Sequence, residues 1–185
     1  MQKPLGCDES KNLSSVERKG VFKIKSEDAT LVGNVIKIGD EAPDFIATDN
    51  NFKDVKLSDF HNKIVVISVF PSIDTPVCAT QTRTFNKRAT SLSDEVVVVG
   101  VSKDLPFALG RFCGAEGIDK VYTLSDFKYS RFGMEYGLLV KENQLLARAV
   151  IVVDRDRSVK YFEITQDILD EPNYDAALKA VESLL

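Results

Sequence analysis

Two uninterrupted apolar runs, IVVISVF at 64–70 and VVVVGV at 96–101, constrain the fold more than any other feature of the sequence. Both are dominated by β-branched residues, which lose rotamer freedom in a helix and pack well on a pleated surface. A strand without polar alternation must be covered on both faces, as in sheets sandwiched between helices. Between the runs Phe85, Ala89 and Leu92 recur at the spacing of one apolar helical stripe, so residues 76 to about 92 read as a crossover helix. The unit is βαβ with a right-handed connection, and the fold class is α/β.

The flanking segments extend this pattern. Residues 1–19 are polar and aperiodic, which predicts a flexible N-terminal extension holding Cys7 ahead of one folded domain over 20–185. VFKIK at 21–25 and TLVGNVIKI at 30–38 alternate around a polar SEDA turn and predict an N-terminal β-hairpin. DFIAT and VKLSDF read as short extended pieces around DNNFKD. Leu105, Ala108, Leu109, Phe112 and Cys113 predict a second helix entered through Pro106 and stopped at Gly114. VYTL at 121–124 reads as a strand, YSRFGMEYG as a short helix closed by glycine, and RAVIVVD with SVKYFEI as a closing hairpin. A last helix is expected to turn Tyr174, Ala177, Leu178, Val181 and Leu185 inward.

Several function classes are disfavoured. The formal charge of −4 comes without a basic block, which argues against nucleic acid as a partner. No apolar stretch approaches the roughly 18 residues of a spanning helix, and the first residues lack the apolar core of a secretory signal. The expectation is a soluble cytoplasmic protein with no membrane partner. Three widely spaced cysteines, Cys7, Cys78 and Cys113, do not suggest a disulfide scaffold, and a single histidine, His61, argues against structural zinc.

The stretch FPSIDTPVC at 70–78 brings chemistry to the end of the first central strand. Thr75, Pro76, Val77 and Cys78 fit the N-cap and first three positions of the crossover helix, because threonine caps well and proline gives up an N–H that has no intrahelical partner. The first-turn N–H groups and the positive end of the helix dipole favour an anion at Cys78, a setting suited to thiolate. Open α/β sheets place their ligand crevices at such strand ends. A packed, inert cysteine and a threonine serving only as a cap are the plainer readings.

Arg148 interrupts the apolar run LLARAVIVVD. A buried guanidinium needs an anion or several acceptors, so Arg148 either faces Cys78, pairs with a structural carboxylate, or lies at an exposed strand edge. Cys113 reads as a core residue or as the thiol that traps an oxidised Cys78. One cysteine opens a helix and the other ends one, while a disulfide needs Cα atoms within about 7 Å, so a bridge between them requires local unwinding.

Pro71, Thr75 and Cys78 form PxxxTxxC, which resembles the active-site motif of the peroxiredoxins. The string FPSIDTPVCATQTRTFN is similar to that of the thiol peroxidase, atypical two-cysteine branch; SKDLPFALGRFCGAEGI resembles its resolving-cysteine segment and LLARAVIVVD its arginine strand. The resemblance covers about residues 20–185 and implies a thioredoxin-like fold, a central mixed sheet flanked by helices with an N-terminal β-hairpin. It further implies a homodimer that reduces hydrogen peroxide and alkyl hydroperoxides with electrons from thioredoxin, using no metal, flavin or haem cofactor. By position Cys78 is then the peroxidatic nucleophile, which becomes a sulfenic acid, and Cys113 the resolving thiol of an intramolecular Cys78–Cys113 disulfide. Thr75 and Arg148 would hold thiolate and peroxide, and Pro71 would shield the pocket.

The first 19 residues have no counterpart in that pattern, and the KENQ loop before Leu145 is short against it. Two other readings remain. A thiol–disulfide oxidoreductase on the same fold is weakened by the absence of CxxC at Cys78, and a redox-sensing binding domain would use the thiols without turnover.

Overall fold

The computed structural model describes residues 16–185, so Cys7 lies outside the described residues. In chain order the elements are β1 (Val16–Ile24), β2 (Glu27–Gly33), β3 (Ile46–Thr48), β4 (Asp54–Lys56), β5 (Ile64–Val69), α1 (Pro76–Ala89), β6 (Val96–Ser102), α2 (Pro106–Glu116), β7 (Val121–Ser125), α3 (Arg131–Glu135), β8 (Leu139–Val140), β9 (Ala149–Val153), β10 (Val159–Ile164) and α4 (Tyr174–Glu182). Seven strands form one mixed sheet in the order β10-β9-β5-β6-β7-β3-β4, while β1, β2 and β8 form a second, three-stranded sheet. The central mixed sheet flanked by helices is the expected α/β architecture.

The two β-branched runs are the paired centre of the large sheet, parallel and in register from Ile64 opposite Val96 to Val69 opposite Val101. All six residues of β5 are buried, and they alternate between two cores. Val65, Ile67 and Val69 face Phe22, Phe45, Phe132 and Tyr136, from the hairpin, the segment before β3, and α3 with its C-cap. Ile64 and Val66 face Phe85 of α1 with Ala177 and Val181 of α4. Because β5 and β6 end level, the chain leaves both strands at one edge of the sheet, where the site forms.

Several boundaries differ from expectation for identifiable reasons. The first hairpin strand begins at Val16, paired with Gly33, so residues 16–19, assigned to the extension by their polarity, are ordered strand. The second strand stops at Gly33 instead of running to 38. At φ +124° a Cβ there would lie 2.2 Å from the Met134 carbonyl, and this close approach lets the Asn34 N–H donate to that oxygen at 2.8 Å. Helix α2 passes through Gly114 and ends where Gly117 takes the left-handed conformation, φ +65°. Leu185 lies beyond α4 and is exposed, whereas Leu184 packs against the core. The short strand β8, which pairs with β2, carries no sequence signal long enough to mark it.

Asp126 follows β7 and accepts hydrogen bonds from the Phe132 and Gly133 N–H groups of α3 at 3.0 and 2.9 Å. Burial raises its pKa to about 6, against the lowering effect of those bonds and of Lys103. The native protein thus holds a proton that the unfolded chain releases first, so this contribution to stability is full below about pH 4 and is lost as pH rises through 6. Denaturant titrations at a series of pH values should show stability falling across this window in the wild type and a flatter profile in Asp126→Asn.

Candidate active site

The Phe70 N–H donates to the Val101 carbonyl at 3.1 Å, carrying the sheet one residue past β5 before the buried Pro71 turns the chain away. Thr75 is extended, at φ −104° and ψ 147°, and Pro76 opens α1, so Cys78 occupies the third position of the helix as expected. The threonine hydroxyl does not cap a backbone N–H. It lies 2.9 Å from the Ser72 carbonyl and 2.8 Å from Cys78 Sγ.

That hydroxyl has one hydrogen to give. Against a protonated Cys78 it can accept from the thiol and donate to Ser72; against a thiolate it must donate to the sulfur. The Ser72 carbonyl stays satisfied either way, because the Thr75 N–H donates to it at 3.1 Å. The loop therefore accommodates both protonation states of the sulfur without moving its backbone.

Cys78 is fully buried, packed with Phe70, Ile73 and Leu109, and Ala108 and Phe112 of α2 complete the cover. Its second polar neighbour is Arg148 Nη2 at 3.5 Å. Arg148 sits one residue before β9, which runs antiparallel to β5 with Ala149 opposite Val69, so the backbone register brings the guanidinium to the end of β5. It is 1% exposed, neither at an open edge nor paired with a carboxylate: its remaining partners are Gln81 Oε1 and the Ile168 carbonyl, both at 2.7 Å. Its Nε is buried without an acceptor. A cation held by neutral partners beside a sulfur stabilises negative charge on that sulfur.

Gln81 was not anticipated. It is fully buried, accepts from Arg148, and donates to Ser68 Oγ at 2.8 Å and to the Val69 carbonyl at 3.2 Å, so the strand end fixes the amide and the amide fixes the arginine. The available signal was its spacing: Cys78, Gln81 and Phe85 fall on one helical face, and a polar residue on an apolar stripe requires a buried partner.

Cys113 is half-buried on α2 and is not in contact range of the arginine–threonine pair. Its Sγ lies 3.6 Å from the Thr123 hydroxyl of β7, which accepts from Asn50 Nδ2 at 3.0 Å. Burial pushes the Cys113 thiol up, with Thr123 opposing the shift. Both Cys78 and Cys113 are free thiols. The structure therefore gathers Thr75, Cys78 and Arg148 into one site, with Pro71 in the loop behind it, and holds Cys113 apart on the neighbouring helix.

The redoxin family profile matches residues 37–178. The thiol peroxidase of Bacillus subtilis is 47% identical over 161 residues, covering 87% of this chain and 96% of the relative, and that of Streptococcus sanguinis is 48% identical over 155 residues, covering 84% and 94%. The chain belongs to the redoxin family, among the thiol peroxidases. Its activity is accordingly that of a peroxiredoxin-type oxidoreductase. A peroxiredoxin-like protein from Aquifex aeolicus superposes with a TM-score of 0.85 at 36% identity, covering 90% of this chain and 98% of that one. The thiol peroxidase from Chromobacterium violaceum, at 22% identity and a TM-score of 0.80, shares the fold. Among the described residues no helix is long and apolar enough to cross a membrane.

Proposed function

We propose that this thiol peroxidase reduces hydrogen peroxide and alkyl hydroperoxides through Cys78, resolves the product with Cys113, and is returned to the dithiol by a thioredoxin-type reductant. The observation that carries the reading is the buried Arg148 guanidinium, whose partners are a neutral amide, a carbonyl and the Cys78 sulfur. An unpaired buried cation is costly, and a thiolate at Cys78 offsets that cost. In the first step the thiolate attacks one peroxide oxygen, the O–O bond breaks, and the alkoxide or hydroxide leaves with a proton from the medium as alcohol or water. Cys78 becomes a sulfenic acid. Arg148 and Thr75 act on the negative charge that grows on the departing oxygen.

Cys113 then attacks the sulfenic sulfur, expelling water and closing a disulfide, and a reductant dithiol reopens it by thiol–disulfide exchange. The separation of the two thiols in the reduced protein makes local opening part of this step. Such a cycle suits the reducing cytoplasm and a homodimer, for which the exposed Phe107 ring, 4.9 Å from that of Phe52, offers apolar surface.

One equivalent of hydrogen peroxide should consume two thiols per chain, and peptide mapping should recover Cys78 joined to Cys113. In Cys113→Ser one thiol should be consumed, and excess peroxide should leave sulfinate on Cys78. A bridge to Cys7 in the wild type, or oxidation of the serine variant elsewhere than Cys78, would overturn the reading.

A further inference from the structure

Asp104 lies between β6 and α2, outside the groups that contact the sulfur, yet its carboxylate gathers three donors from two segments. Oδ1 accepts from Ser72 Oγ at 2.8 Å, and Oδ2 accepts from the Ile73 N–H and from Ser102 Oγ, both at 2.7 Å. Its own carbonyl accepts from the Ser125 hydroxyl of β7. Charge-assisted hydrogen bonds of this kind are about twice as strong as neutral ones, and the two donated by Ser72 and Ile73 tie their loop to the carboxylate. That loop is the one between β5 and α1. Ser72 is the residue whose carbonyl faces both the N–H and the hydroxyl of Thr75, at 3.1 and 2.9 Å. The position of the Ser72 oxygen decides how readily the single threonine hydrogen turns from it to the sulfur.

We infer that Asp104 is a positioning residue of the peroxide site, acting through Ser72 on the Thr75 hydroxyl and hence on Cys78. The inference rests on the reading of Cys78 as the sulfur that meets peroxide. The carboxylate accepts from all three donors at once; an asparagine that keeps its oxygen for the Ile73 N–H turns its NH2 group toward the Ser72 hydroxyl, which must then accept instead of donate. The same residue stands two positions before Pro106, so its side chain ties the loop carrying the threonine to the segment that leads into the helix carrying Cys113.

Stopped-flow oxidation of Cys78 should slow about tenfold in Asp104→Asn, of the order expected when one neighbour of a reacting group loses its orientation. Ser72→Ala, which removes one of the two links between the carboxylate and the loop and leaves that from the Ile73 N–H, should lose roughly threefold by the same argument and serves where Asp104→Asn folds poorly. In a Thr75→Val background Asp104→Asn should add less than a twofold loss, whereas Thr75→Ser, which keeps the hydroxyl, should restore full sensitivity. An equal loss in every background would assign Asp104 a structural role only, and an unchanged rate in the wild-type background would also overturn the inference. Alkylation of Cys78 by iodoacetamide at fixed pH separates this inference from the functional reading. Absence of peroxide consumption at Cys78 in the wild type would sink the peroxidase reading, while Asp104→Asn should still lower the alkylation rate; an unchanged or faster rate would count against Asp104.

Discussion

Arg148→Met should lower the rate of Cys78 oxidation by hydroperoxide about 100- to 1,000-fold and make the protein less resistant to denaturant than the wild type. The rate loss follows from removing a fixed charged donor beside the reacting sulfur, for which a loss of about 10²–10³ is usual. The stability outcome follows from what else surrounds Arg148. Its partners are uncharged apart from the sulfur, and its Nε has no acceptor. An apolar side chain of similar length removes both the desolvated charge and the orphaned donor, which offsets part of the loss. Outweighing this are the Gln81 Oε1 and Ile168 carbonyl left without their donor, each costing about 1–3 kcal/mol where water cannot reach. Arg148→Lys tests the geometry separately. It keeps the charge but offers a single nitrogen where the fork serves Gln81, Ile168 and the sulfur together, so it should recover less than a tenth of the activity. Peroxide oxidation at wild-type rate in Arg148→Met, followed by the thiol count in stopped flow, would remove this arginine from the chemistry.

Much of this site was legible in the chain because its signals are local. Threonine, proline and cysteine in that order specify a helix start, and the β-branched runs specify where that start lies on the sheet. What the motif did not specify was the use of the threonine hydroxyl. Capping is its common local role, and the competing partner is a side chain three residues on, whose orientation depends on packing by Leu109 and Phe112 from another helix. Arg148 announced itself as a charge in an apolar run, but the choice among thiolate, carboxylate and solvent was decided by the antiparallel register of β9 on β5. Gln81, Thr123 and Asp104 escaped notice for one shared reason: each acts through a contact at least ten residues distant in sequence, across the sheet edge or between loops. The misplaced stop of α2 has a different cause. A glycine ends a helix only where the backbone turns left-handed, and it is Gly117, not Gly114, that does so.

That second helix is weak by construction, and its weakness predicts the second large effect. Among its eleven residues only Pro106 and Leu109 are fully buried, and two interior positions, Gly110 and Gly114, are glycine. A Cβ at Gly114 would meet nothing within 4 Å, and one at Gly110 would make ordinary contact with Asn50 at 3.9 Å, so neither glycine is there for want of room. Each costs the helix about 1 kcal/mol relative to alanine. Cys113 is fastened near the far end, its carbonyl accepting from the Ile118 N–H at 2.9 Å and its sulfur set against Thr123. If the thiol reaches Cys78 by unwinding of this helix, Gly110→Ala with Gly114→Ala should raise the opening free energy by about 2 kcal/mol and slow disulfide formation roughly 30-fold. The preceding step, on α1, should proceed at its usual rate, so the sulfenic acid persists and meets a second peroxide more often. Rapid-quench mass spectrometry would then find sulfinate on Cys78 at peroxide concentrations that leave the wild type unharmed. Disulfide closure at the wild-type rate in the double alanine variant would show that α2 stays wound, and that the movement joining the two sulfurs belongs to the first turn of α1 instead.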